Sequence, residues 1–382
     1  MIDAAPEGKG TFFQRYLLPS LALKGVIIGG GYATGRELVE YFLSQGPTGA
    51  LLAMLIATVM WSVVAALTFA LAQHFRTYDY RAFMGHLLGR AAIAFEICYL
   101  LFSVLLLAVF GAAAGEVAQS LFAAPAIVGT LMLALCILII VSLGERAVEG
   151  MFKYVSIILY LVYALFLILA LSSFGEQIDA SLRAGGIEPD WFMSGLTYGI
   201  YNIVAAVMIL PVLRHLTSRR QALVAGAMAG PMAMLPAFAF LIAMMAFFPA
   251  ILSETLPSDY ILQRIGSPAF RFAFQIMVFG ALLESGVGVI HALNERAVAL
   301  RSKHSRNPGT PIWFRPVLTI AVLIGCMLVA SKIGLVDLIA SGYRLMAAVF
   351  LVTFVLPLIT VGVVKLMRPH RVKTSETGVV HG

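Results

Sequence analysis

Long apolar runs separated by short polar breaks dominate this chain, and most runs reach the ~20 helical residues needed to cross the hydrocarbon core of a bilayer. Ten such spans are predicted, at 15–45, 48–73, 92–122, 124–143, 151–173, 191–213, 221–248, 269–295, 314–331 and 335–366. The first is interrupted. Gly29, Gly30 and Gly31, which end a helix at no Cβ cost, are followed by Thr34-Gly35-Arg36-Glu37, the pattern of a capping box that opens a new helix. Unpaired backbone at membrane depth is tolerated only inside protein or along a cavity, so the pattern predicts a broken span at a binding site. A weaker interruption is predicted in the sixth span, where Ser194, Gly195, Thr197, Tyr198, Gly199, Tyr201 and Asn202 lie near the middle. Breaks in the first and sixth of ten spans suit two five-helix repeats of opposite topology with solute bound at their interface.

The chain then divides into a cytoplasmic N-terminus at 1–14, a first repeat at 15–173, an outer loop at 174–190, a second repeat at 191–366 and a cytoplasmic tail at 367–382. The loop at 249–268 is long enough for a short surface helix.

Composition supports the membrane reading. The 382 residues are 61% hydrophobic and 12% charged, with a mean hydropathy of +0.95, against roughly one-quarter charged in a soluble domain. A net charge of +7 does not indicate nucleic acid, because the basic residues sit in short loops between spans. Nineteen Lys and Arg fall on one side, against Arg36, Arg183, Arg264, Arg271 and Lys332 on the other. That asymmetry puts both termini in the cytoplasm of a multi-pass protein of the inner (cell) membrane. Asp3, Glu7 and Lys9 near the start do not read as a cleavable signal. Cys98, Cys136 and Cys326 lie within spans without CxxC spacing, which indicates neither a disulfide framework nor a zinc site. HExxH, GxSxG and nucleotide-loop patterns are absent from the sequence, so an enzyme is not expected. No tight cofactor is expected, and the oligomeric state is left open.

The candidate solute-binding residues are Gly29, Gly30, Gly31, Tyr32 and Thr34 at the first break, with Tyr198, Tyr201 and Asn202 on the sixth span. The second half-helix would offer free N–H groups and partial positive charge to a carboxylate, partly offset by Glu37. Ionisable residues inside spans are costly and mark function or pairing. Glu96 can reach Arg90 near the cytoplasmic end of span three, and Glu116 and Arg344 can neutralise each other. Glu284, mid-span and followed by Ser285, is the hardest to explain as structure.

Ten spans with breaks in the first and sixth resemble the LeuT-type fold of the amino acid, polyamine and organocation transporter superfamily. The Gly-Gly-Gly-Tyr-Ala-Thr-Gly-Arg-Glu segment and the chain length resemble, more narrowly, the YkvI-type membrane proteins. The resemblance implies an ion-coupled secondary transporter of a small organic solute, an amino acid among the candidates. A receptor or sensor that binds a nutrient on the same fold without moving it is the alternative. It also implies an outer gate, with Arg36 closing on Asp337 or on Glu116. In sodium-coupled members one ion lies between carbonyls at the first break and hydroxyls on span eight, where Ser285 supplies one hydroxyl here. In some proton-coupled relatives a lysine amine takes that place, which implies a proton-exchanging pair of Lys24 and Glu284. Protons are preferred over sodium, with Glu284 as a direct sodium ligand the other option.

Overall fold

The computed structural model describes residues 11–27, 30–143, 145–304 and 313–367. Among these the chain is all-helical, and every predicted span coincides with a helix or a run of helical pieces. Seven helices are long and apolar enough to cross a membrane, or eight if a bent pair counts as one. The chain is an integral membrane protein.

The first span is α1 (Leu18–Ile27), α2 (Gly30–Thr34) and α3 (Arg36–Tyr41). It is followed by α4 (Pro47–Phe75), the short α5 (Tyr80–Leu88), α6 (Ala92–Phe122), α7 (Ala126–Leu143) and α8 (Glu145–Ser173). Local chemistry sets several of the boundaries. Pro47 opens α4 at a position where its missing N–H has no partner to lose. Asp79 caps α5 by accepting from the Ala82 N–H at 2.9 Å. The polar loop after α8 folds as α9 (Gly175–Ala184), bent 74° from α8.

The second half holds α10 (Trp191–Ile203), α11 (Ala205–Met208), α12 (Arg219–Met245), α13 (Pro257–Ile265), α14 (Pro268–His304) and α15 (Phe314–Ile333). The expected surface helix in the 249–268 loop is α13, with a 3₁₀ turn at Ala250–Ser253 before it. The C-terminal helix, Leu335–Met367, carries wide π-type turns at Leu338–Tyr343, Leu351–Val355 and Leu358–Gly362.

Packing centres on α4, against which both α10 and α12 lie. The glycines of the sixth span serve this contact and do not break the helix. At Gly195 an added Cβ would stand 2.2 Å from the Ala53 carbonyl oxygen, and at Gly199 it would stand 2.7 Å from the Met60 sulfur. At Gly195 the atoms met are main chain, so only a residue without a side chain permits the approach, whereas at Gly199 the atom met is on a flexible methionine. Trp61 Nε1 of α4 completes the seam by donating to the Gly199 carbonyl at 3.0 Å, a bond of about 0.6 kcal/mol in a membrane bundle. α10 therefore runs unbroken through Asn202, and the helix loosens only after Ile203, into α11 and a 3₁₀ turn at Leu210–His215 that contains Pro211.

At the end of the bundle away from most of the arginines, Asp259 ties α13 to α6 and α14. It accepts from Arg271 Nε at 2.7 Å, Arg271 Nη2 at 2.8 Å, Ser120 Oγ at 2.8 Å, Gln263 Nε2 at 2.8 Å and Gln275 Nε2 at 2.9 Å.

Candidate functional site

Among the described residues the first span is interrupted at Gly35. Residues 28–29, and with them the predicted binding residue Gly29, lie outside the described residues. Gly30 and Gly31 belong to the helical turn α2 instead of ending a helix. The left-handed residue is Gly35, with φ +80, and it is the N-cap of α3. A side chain there would be strained by its φ and would meet Phe240 Cζ at 2.9 Å. The capping box is therefore corrected. Thr34 sits at the end of α2, its Oγ1 accepting from the Arg36 N–H at 3.3 Å, while Glu37 turns inward to a different partner.

That partner is Tyr201, whose hydroxyl donates to Glu37 Oε2 at 2.9 Å and so links α3 to α10. Both side chains line a cavity of about 320 Å³. Its wall is made by Gly25, Val26 and Ile27 at the end of α1, by Tyr99, Phe102, Leu106 and Phe110 of α6, and by Tyr201, Asn202, Val204, Ala205 and Met208 at the loosened part of the sixth span. Glu284, Ser285, Gly288 and Val289 of α14 and Tyr343 of the C-terminal helix complete most of the rest. Tyr343 closes the first wide turn of its helix, a distortion common at functional sites. The Ile339 carbonyl within that turn accepts from the Tyr41 hydroxyl at 2.7 Å.

Of the predicted binding residues, Tyr201 and Asn202 line the cavity, as do the ion-coupling candidates Glu284 and Ser285. Lys24 directly precedes the lining residue Gly25. Tyr32, Thr34 and Tyr198 are buried outside the lining. Tyr198 packs with Phe42 (ring centroids 4.5 Å apart), Trp61 (5.6 Å), Tyr201 (5.5 Å) and Tyr41 (6.0 Å). Together these rings form an aromatic layer. Glu37 was expected as a capping residue that partly offsets the half-helix charge, and Tyr99, Phe102 and Tyr343 were not among the expected site residues. A signal was present in each case, since all are polar or aromatic residues well inside apolar spans.

Beyond the aromatic layer lies Arg36, with a partner other than the predicted one. Its Nη2 pairs with Glu40 Oε2 at 2.7 Å, one turn on, and its Nη1 donates to the carbonyls of Leu252 and Glu254, both at 3.0 Å. Asp337 is exposed at the start of its helix, and neither it nor Glu116 makes an ion pair with Arg36. The fork of the guanidinium explains the arrangement, because it satisfies one carboxylate and two loop carbonyls together. Arg344 is exposed and forms no ion pair with Glu116 either.

Toward the arginine-rich end a second cavity, of about 280 Å³, is lined by Asp79, Tyr80, Phe95, Tyr99, Val207, Met208, Pro211, Ala292 and Arg296. Tyr99 and Met208 belong to both cavities, and the Tyr99 hydroxyl donates to the Met208 sulfur at 3.4 Å. A phenol and a thioether thus face both spaces. The Arg296 guanidinium stacks over the rings of Tyr99 (4.0 Å) and Tyr80 (4.5 Å). Glu96 receives the Tyr80 hydroxyl at 2.5 Å and pairs with Arg296 at 3.7 Å and Arg81 at 3.8 Å, in place of the expected Arg90.

No family model matches the chain. It is similar to the uncharacterized membrane protein YkvI of Bacillus subtilis (strain 168), with 22% identity over 331 residues that cover 86% of this chain and 90% of the other. Among solved structures it is similar to MhsT, determined in complex with L-phenylalanine, with a TM-score of 0.59, 16% identity and coverage of 95% and 98% of the two chains. It is also similar to a Na⁺-coupled sialic acid symporter in a substrate-bound outward-open state, with a TM-score of 0.61, 13% identity and coverage of 90% and 78%. A third is a manganese transporter of Eremococcus coleocola, with a TM-score of 0.53, 17% identity and coverage of 93% and 81%. The fold is the LeuT-type fold of these transporters.

Proposed function

We propose that this protein is an ion-coupled secondary transporter that carries a small organic solute by alternating access to the 320 Å³ cavity. One observation carries the reading: the cavity is lined by Glu37, two residues past the left-handed Gly35 that interrupts the first span, by Val204 and Ala205 where the sixth span loses regular helix, and by Glu284 and Ser285 of α14. Helix interruptions at membrane depth free backbone groups for a solute and give two rigid groups a place to move against each other. Two five-helix repeats of opposite topology, at 15–173 and 191–366, are the architecture that supports such movement. The likeness to transporters, one of them a Na⁺-coupled symporter, points the same way. The arginine-rich end faces the cytoplasm on this reading, by the positive-inside rule.

Coupling is assigned to protons exchanged between Glu284 and Lys24 as the cytoplasmic side opens, a use that accounts for an intramembrane carboxylate on the cavity wall. Sodium bound near Ser285 is the competing assignment. The test is uptake of radiolabelled phenylalanine and phenethylamine into proteoliposomes under an imposed pH gradient or an imposed sodium gradient, in wild type and Glu284→Gln. Accumulation that follows the pH gradient and loses that response in Glu284→Gln is expected. Uptake driven by sodium without a pH gradient refutes the proton assignment, and no uptake above empty liposomes, despite binding, refutes transport.

A further inference from the structure

We infer that the cavity selects a small organic amine that carries no carboxylate, with the ammonium seated on Glu37. This takes from the transporter reading only that the cavity is where solute binds. Among the described lining residues two are acidic, Glu37 and Glu284, and none is Lys, Arg or His.

Glu37 is 7% exposed, and among the described residues no Lys, Arg or His nitrogen lies within 4.0 Å of its carboxylate. A buried carboxylate is expensive unless paired. The single hydroxyl of Tyr201 leaves most of its roughly four lone-pair sites open. Across the same space the Tyr343 hydroxyl is buried without a hydrogen-bond partner among the described residues, an unfavourable state for a polar group. An ammonium group has up to three N–H donors, one for Glu37 and one for the Tyr343 oxygen.

The rest of the wall fits the same ligand. Ring centroids of Tyr201 and Tyr343 are 4.6 Å apart, and Phe102 stands 5.9 Å from Tyr343 and 6.4 Å from Tyr201. Aromatic faces grouped in this way attract an alkylammonium and accept its apolar body. They suit a metal ion poorly, and no group of three His, Cys, Asp or Glu that could hold a metal occurs among the described residues. A solute carboxylate would meet Glu37 and Glu284, while Lys24 sits behind the described lining next to Gly25. The volume, at the small end of the roughly 300–1,000 Å³ of ligand pockets, limits the solute to a single small amine.

The experiment pairs each amino acid with its decarboxylated amine: phenylalanine with phenethylamine and valine with isobutylamine. Binding to the full-length detergent-purified protein is measured by thermal stabilisation and titration calorimetry, in wild type, Glu37→Gln, Glu37→Asp and Tyr343→Phe. At least one amine is expected to bind 10-fold or more tightly than its amino acid. Glu37→Gln, which keeps an acceptor for Tyr201, is expected to lower that affinity at least 10-fold, Tyr343→Phe to lower it several-fold, and Glu37→Asp to retain part of it. Folding of each variant is checked by its unfolding midpoint, and Tyr343→Phe decides the matter should Glu37→Gln not fold. An amino acid that binds as tightly as its amine, an amine affinity indifferent to both Glu37→Gln and Tyr343→Phe, or no amine binding tighter than about 1 mM overturns the inference. These are binding readouts, so uptake of an amino acid without amine binding defeats this inference and leaves transport standing. Amine binding without uptake does the reverse.

Discussion

Gly195→Ala is the sharpest test of how α10 is held. The new Cβ would lie 2.2 Å from the Ala53 carbonyl oxygen and 2.8 Å from both Ala53 C and Ala53 Cα. Relief requires the two backbones to separate by about 1 Å, since carbon contacts settle at ~3.5–4.0 Å. No side-chain rotation helps, because the atoms struck belong to the main chain. Overpacking costs about 1–3 kcal/mol, and this case belongs at the upper end. Separation would also stretch the Trp61–Gly199 hydrogen bond one turn along. Gly25→Ala is the control. Its Cβ meets nothing within 4 Å, and replacing glycine in a helix gains up to about 1 kcal/mol. The two alanines should therefore differ by about 3 kcal/mol, roughly 100-fold in the unfolding equilibrium. The assay is the fraction of detergent-solubilised protein that stays monodisperse on size exclusion after heating. If Gly195→Ala survives as well as Gly25→Ala, the close α4–α10 seam is refuted and the sixth-span glycines return to being helix breaks.

Arg36→Gln removes two hydrogen bonds from a charged donor to the loop carbonyls, each worth about 1.5–3 kcal/mol; amides of 250–256 should exchange hydrogen at least about 10-fold faster, and unchanged exchange would dismiss Arg36 as the loop's anchor. Burial raises the pKa of Asp259, but hydrogen bonds from Arg271, Ser120, Gln275 and Gln263 outweigh it and hold the carboxyl below its usual value. Its stabilisation is therefore complete above about 3.9, the value of a free aspartate, and is lost as pH falls through the lower folded value. Asp259→Asn should unfold more easily than wild type near pH 7 and lose less on acidification to about pH 3, as followed by unfolding midpoints; equal losses would speak against this.

The sequence made the spans legible because apolar length is a property of composition alone, and the structure places a helix or helical run at each one. It also pointed to an interruption near Thr34, where the left-handed residue is Gly35 while Gly30 and Gly31 lie in a helical turn. The second interruption was misplaced because glycine is the same letter whether it ends a helix or lets two helices touch. Gly195 and Gly199 do the latter, and Pro211 was the better marker of lost helix. Glu284, Ser285, Tyr201 and Asn202 were found because a polar residue inside an apolar span is conspicuous by itself. The partners of Arg36 were not legible, since Leu252 and Glu254 offer backbone carbonyls that no residue type announces.

The walls at the two ends of the cavity differ in construction, and this sets a timetable. Toward the arginine-rich end the Tyr99–Met208 contact faces both cavities, with Met208 43% exposed and Tyr99 buried. Exposed side chains such as Met208 change rotamer in picoseconds to nanoseconds, whereas Tyr99 is buried beneath the Arg296 guanidinium. At the other end a layer of packed rings and the Arg36 clasp must move together with their helices, a collective change of microseconds to milliseconds. The two walls therefore answer on different timescales: the Met208 side chain can move alone, and the ring layer only with its helices.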